Sequence, residues 1–170
     1  MRDVTIEKQA EQHLRRSQEW YRHMADALPV LVWQPGTDQL CTYVNRPWLE
    51  FTGRTIEQEL GNGWTDGVHP DDLRRCLDIY ASAFDQRESF AMDYRLRHRS
   101  GEYRWVVDRG VPQYNADGTF LGYVGGVVET HDRKVAEQGA LESGAELRRA
   151  LEFNQSIMAN MGEGLYTIDL

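Results

Sequence analysis

Apolar and polar residues alternate along the chain with two periods, and the places where the period changes mark out its elements. From residue 3 to residue 28 a seam runs through Ala10, Leu14, Ser17, Tyr21, Met24 and Leu28, spaced 4, 3, 4, 3, 4. That spacing predicts one helix with a heptad stripe. The stripe either packs on its own domain or pairs with a second copy as a parallel coiled coil. Pro29 ends the helix, because proline cannot continue the hydrogen-bond ladder. Val30 to Trp33 then reads as a short strand, Pro35-Gly36 as a turn, and Thr42 to Val44 as a second short strand. Short helical pieces broken by Gly53 and Gly61 are expected from Asn45 to Gly63. Pro70, followed by Asp71 and Asp72, starts a firmer helix: proline fits the first turn and the carboxylates complement the dipole. It is expected to run to about Gln86, with Leu73, Leu77, Tyr80 and Phe84 on one stripe.

Beyond that helix the period drops to two. Phe90, Met92, Tyr94 and Leu96 alternate with Ala91, Asp93, Arg95 and Arg97, as in a half-buried strand. Ser100-Gly101 turns the chain. Tyr103, Trp105, Val107 and Arg109 alternate with Arg104, Val106 and Asp108 in a second strand, and Asn115 to Gly118 makes the next hairpin turn. Phe120 to Val128 is the third, and its Gly122, Gly125 and Gly126 suggest a bulge or a close backbone contact. Five antiparallel strands with helices gathered mid-sequence predict an α+β domain. The helices between the second and third strands would cover one face of the sheet, and a ligand cavity would lie between cover and sheet.

The two ends of the chain resemble each other. RRSQEWYRHMADALPVLVW begins at Arg15, and RRALEFNQSIMANMGEGLY begins 133 positions later at Arg148. A shared Arg-Arg, Glu, aromatic and closing apolar pair predict a second copy of the same domain beginning near residue 148. The expected organisation is an N-terminal amphipathic helix over 1–28, the sheet domain over 29–131, a linker helix over 132–161, and the start of a truncated second domain over 162–170.

Composition narrows the function classes. The 170 residues carry a net charge of −8, which disfavours a nucleic-acid partner. The N-terminus is polar rather than signal-like, and no apolar run approaches the length that spans a bilayer. The expected compartment is the cytoplasm, with attachment to a membrane left to segments elsewhere in a longer protein. Cys41 and Cys76 form no CxxC pair, so neither zinc nor a redox motif is indicated. No Ser-His-Asp set, phosphate loop or deep carboxylate pair is present, and catalytic residues are not expected.

YRLRHRSGEYRWVVDRGVPQYNADGTFLGYVGGVVETHDRK resembles the C-terminal half of a PAS domain, the segment called the PAC motif. YVNRPWLEFTGRTIEQELGNGWTDGVHPDDL resembles the helical half of that family. The resemblance spans about Leu28 to Lys134. It implies the PAS fold, a five-stranded antiparallel sheet under a helical cover. It also implies a sensory or dimerising role upstream of an output domain, commonly a histidine kinase or a diguanylate cyclase. One departure stands out. Where the family closes its last strand with Asp-Ile-Thr, tying the sheet to the outgoing helix, this chain has Glu129, Thr130 and His131. Glu129 keeps the acid with a longer reach. His131 is either an exposed junction residue or a pH-responsive hinge.

The resemblance also bears on cofactors. The photoactive flavin type needs a cysteine in an Asn-Cys-Arg-Phe-Leu context, which is absent. The haem type takes an axial histidine from the long helix, and Pro70–Gln86 contains none. His69 lies just before it, where a helix cap is the simpler role. Neither cofactor is expected, and no metal. The aromatic residues Trp33, Tyr43, Trp48, Phe51, Trp64, Tyr80, Tyr94 and Trp105 are candidates for the space between cover and sheet, with Asn45 or Thr52 giving a polar contact. They either fill a core or line a pocket for a small, partly aromatic or heterocyclic ligand. The basic strand residues Arg95, Arg97 and Arg99 read as a solvated sheet face. The reading is a sensory and dimerising module of a larger signalling protein, homodimeric through Leu14, Tyr21, Met24 and Leu28, with covalent downstream domains. The alternative is a spacer or interaction module that binds no small molecule.

Overall fold

The computed structural model describes residues 4–165, with side chains over residues 6–153. The chain divides into two units, residues 1–130 and 131–170. The first begins with helix α1, Val4–Ala27. Strands β1, Leu31–Pro35, and β2, Cys41–Val44, form a hairpin. Helices α2, Arg46–Thr52, and α3, Ile56–Glu59, follow, then a 3-10 turn at Gly63–Gly67 and helix α4, Pro70–Gln86. Strands β3, Phe90–Arg97, β4, Tyr103–Tyr114, and β5, Phe120–Glu129, complete the unit. The sheet order is β2-β1-β5-β4-β3, antiparallel throughout. The first and last strands therefore lie side by side at its centre. This is the expected α+β architecture, with all five strands in place.

One sheet face is buried and the pleat decides which. Met92, Tyr94 and Leu96 of β3, Val106 and Asp108 of β4, Tyr123 and Val127 of β5, and Leu31 and Trp33 of β1 all point into the core. They meet Trp48 and Phe51 of α2 and Cys76, Tyr80 and Phe84 of α4. The α4 stripe thus differs from the expected one: Cys76 and Ala83 are buried, whereas Leu77 is exposed. The strand β1 runs on to Pro35, which a bulge at Gln34/Pro35 accommodates because proline lacks a ladder donor.

The cover is held by its helix ends. The His69 ring accepts from the Asp71 amide at 3.2 Å, as a cap at the start of α4. Asp72 receives a fork of two bonds from the Arg95 side chain, 2.9 and 3.0 Å, and a third from the Arg95 amide. Those bonds hold the Asp72 carboxyl below its ordinary range. Arg95 is therefore a clamp from β3 to α4, not a solvated side chain, and its guanidinium also lies 5.4 Å from the Trp105 ring. At the other end of α4, the Tyr123 hydroxyl donates to the carbonyls of Ala83 and Glu88 at 2.7 and 2.8 Å.

α1 does not pack on this core. Leu14, Tyr21, Met24 and Leu28 are 48–64% exposed, so the stripe is not buried against its own domain. The second unit is helix α5, His131–Leu165. It continues past residue 161, where the linker helix was expected to end, and through Gly162 and Gly164. Most of the expected strand LYTIDL, residues 166–170, lies outside the described residues, and with it the second domain. Among the described residues no helix is long and apolar enough to cross a membrane.

Candidate functional site

Asp108 sits on β4 in phase with Val106 and opposite Met92 of β3, so the pleat drives its carboxylate into the core. It is 3% exposed. The Trp33 indole N–H donates to Oδ1 at 2.9 Å and the Tyr94 hydroxyl donates to Oδ2 at 3.3 Å. Both donors are neutral. Burial pushes the Asp108 carboxyl up to about 7, and the two hydrogen bonds only partly oppose this. Burial, and then the nearby Asp108 charge, hold the Tyr94 phenol far above its usual range.

A small cavity opens beside this carboxylate. Trp33, Trp48, Trp64, Tyr80 and Tyr94 line it together with Asp108, Met92, Cys41, Val44, Pro35 and Gln39. The space left is about 20 Å³, enough for one or two water-sized groups and not for a heterocycle. The Trp48 indole N–H is buried and has no hydrogen-bond partner among the described residues. Perpendicular ring pairs, Trp33 with Tyr80 and Trp64 with Tyr80, make adjoining walls.

Half of the sequence-predicted pocket residues are brought together here and half are not. Asn45 is fully buried, but all of its hydrogen-bonding capacity goes to the backbone. Its Oδ1 accepts from Val32 and Trp48, and its Nδ2 donates to Ala25 and Val30. The Thr52 hydroxyl donates to the Trp48 carbonyl. Phe51 packs in the core against His98. Tyr43 is half-exposed on β2. Trp105 lies on the opposite sheet face, paired with Arg95 across the strands. The residue that sequence reasoning missed is Asp108, whose signal was its place in the phase of Val106 and Gly110.

Gly125 on β5 shows how tightly the Trp33 side of the site is built. A Cβ there would overlap the Trp33 indole ring. Gly125→Ala is expected to destabilise the domain by about 1–3 kcal/mol through overpacking, and to shift the Trp33 indole resonance in NMR spectra.

The residues expected to couple sheet and outgoing helix occupy the junction of β5 and α5. Glu129 accepts from Arg104 at 2.9 Å. The Thr130 amide donates to the Trp105 carbonyl at 2.8 Å, and its hydroxyl is buried without a partner among the described residues. His131 is the first residue of α5, so a single residue separates strand from helix.

The PAS fold family model matches residues 42–127, half of the chain, over β2, the cover and the three long strands. This chain belongs to the PAS fold family. The chain is 40% identical over 82% of its length to the uncharacterized protein y4lL of Sinorhizobium fredii. The chain is 29% identical over 98% of its length to the peroxide stress-activated histidine kinase mak1 of Schizosaccharomyces pombe. It spans only 17% and 11% of those two relatives. Among solved structures, a sensory box histidine kinase/response regulator from Burkholderia thailandensis matches with a TM-score of 0.57 and 28% identity. That match covers 76% of this chain and 98% of the other. The relatives of this PAS domain thus include proteins named as histidine kinases.

Proposed function

We propose that this PAS domain is the sensing and coupling module of a larger cytoplasmic signalling protein, a histidine kinase in the first instance, that works as a homodimer. The observation that carries the reading is the one-residue passage from β5 into α5 at Thr130. In this reading, a change at the sheet passes to the 35-residue helix through the single residue that joins them. The relatives named as histidine kinases support this choice of output domain, with a diguanylate cyclase as the other candidate. The test is a fusion of the whole chain to the catalytic core of a histidine kinase of known activity. Lengthening the junction after α5 one residue at a time is expected to make autophosphorylation rise and fall with a period of about seven residues. Activity indifferent to that phase would overturn it.

Dimerisation belongs to the same reading. The α1 stripe is exposed on a helix that buries little against its own sheet, and its heptad spacing suits a parallel copy of itself. Burying Leu14, Tyr21, Met24 and Leu28 from two chains contributes on the order of 1.5–3 kcal/mol for each large side chain, and the entropy of association takes back several of these. Leu14→Glu and Leu28→Glu are each expected to shift the protein to monomer in sedimentation experiments. Persisting dimers in both variants would locate the interface elsewhere.

The second reading, a spacer module without a small-molecule ligand, is favoured by the nearly filled interior. Native mass spectrometry separates the two, since a spacer carries no bound molecule and binds none that is added.

A further inference from the structure

We propose that the cavity beneath the cover is a site for a small ammonium ion, of the size of ammonium or methylammonium, held by Asp108 and an aromatic cage. The proposal rests on the sensory reading above and names the ligand class for it.

Three observations converge on a cation. The cavity is walled by Trp33, Trp48, Trp64, Tyr80 and Tyr94, and its one formally charged lining group is the Asp108 carboxylate. Aromatic rings attract cations through their electron-rich faces, most strongly where water is excluded, and tryptophan is the best of them. Next, among the described residues no cation balances the carboxylate. The titratable groups around it are Tyr94 on β3 and Cys76 and Tyr80 on α4, with Cys41 of β2 also lining the cavity. All four are neutral at pH 7. Glu59 on α3 already pairs with Arg54 at 2.8 Å. A buried carboxylate in that setting favours its protonated form, and a bound ammonium ion supplies the missing positive charge.

The third observation concerns donors and size. The Trp33 and Tyr94 donors are committed to Asp108, and the Tyr80 hydroxyl donates to the Gln39 carbonyl at 3.1 Å. Of the five lining rings that carry an N–H or O–H donor, Trp33, Tyr80 and Tyr94 are thus turned onto protein acceptors, and Trp48 and Trp64 are the other two. Those three present no uncommitted donor to the space. The volume of about 20 Å³ admits a headgroup with at most one methyl and excludes tetramethylammonium. The unpartnered Trp48 N–H favours an acceptor instead, which makes a neutral amide of the same size the competitor to test against.

The experiment uses the whole chain labelled with nitrogen-15 and follows the Trp33 and Trp48 indole signals. Methylammonium chloride, formamide and tetramethylammonium chloride are titrated at constant ionic strength. Methylammonium is expected to give a saturable shift, and tetramethylammonium none. Because the ion requires the ionised carboxylate, its affinity should fall on the order of tenfold per pH unit below about pH 7. Asp108→Asn, which keeps an acceptor for Trp33, should weaken it at least about tenfold; the pH series on the unaltered chain gives the same answer should the variant not fold. Formamide binding as tightly as methylammonium overturns the proposal, as does undiminished affinity in Asp108→Asn, absence of pH dependence, or no saturable shift at any pH. None of these outcomes touches the helix-phase dependence of the kinase fusion, so the two readings fail separately.

Discussion

Replacing Asp108 with asparagine is expected to remove a large pH dependence from the stability of the domain. In the unfolded chain the carboxyl titrates near its ordinary 3.8, and in the folded chain it is raised to about 7. Below about pH 4 it is protonated in both states, and its environment contributes fully. As the pH rises, the unfolded chain releases the proton while the folded chain keeps it, so stability falls. The fall is complete once the pH passes the folded value. The gap between 3.8 and about 7 corresponds to about 4 kcal/mol. Asp72, whose carboxyl is held low by Arg95, acts in the opposite direction. The quantity to measure is therefore the difference between the parent protein and Asp108→Asn in urea unfolding, at about pH 4.5 and about pH 8. The parent should lose stability relative to the variant by roughly 3–4 kcal/mol across that interval. A constant difference would mean that the carboxylate is ionised or hydrated in the folded state.

Asn45→Ala is expected to be the other severe change. The Asn45 side chain joins three elements that otherwise have little in common: the end of α1 through Ala25, the start of β1 through Val30 and Val32, and the first turn of α2 through Trp48. Alanine leaves two amides and two carbonyls without that partner in a part-buried setting. Each unsatisfied group costs about 1–3 kcal/mol where water cannot reach it. With some of the four hydrated, the net loss should be about 3–5 kcal/mol, read from denaturant unfolding. Hydrogen exchange should also rise selectively over residues 24–32, because Asn45 sets the direction in which α1 leaves the sheet. A loss below about 1 kcal/mol would show that water replaces the side chain without penalty.

Much of the fold was legible in the sequence because strands advertise themselves with a period of two. Phe90 to Leu96 and Phe120 to Val128 carry that period cleanly, and Pro70 with its two aspartates marks a helix start that α4 obeys to the residue. The site was harder. On β4 both phases of the alternation contain large apolar residues, Trp105 and Val107 in one and Val106 in the other. The pattern therefore does not say which faces inward. The outcome turns on Gly110 and Asp108, the small and the acidic residue, being buried while Trp105 is turned outward beside Arg95. An aspartate in a core phase is read as a surface residue unless its donors are known, and one of those donors, Trp33, lies 75 residues away in sequence. Asn45 was misplaced for a related reason. A polar residue before a proline-containing helix start suits both a cap and a ligand contact, and only the positions of Ala25 and Val30 decide between them.

The two thiols have a practical consequence. Cys41 and Cys76 are both buried. Burial raises the Cys41 thiol and pushes Cys76 to about 11. Cysteines react as thiolates, so maleimides and mild alkylating reagents meet two inert sulfurs. The native chain already provides a silent background for surface labelling. A Tyr21→Cys substitution would place a spin label or a crosslinker at that position alone, without first emptying the core of its own sulfur.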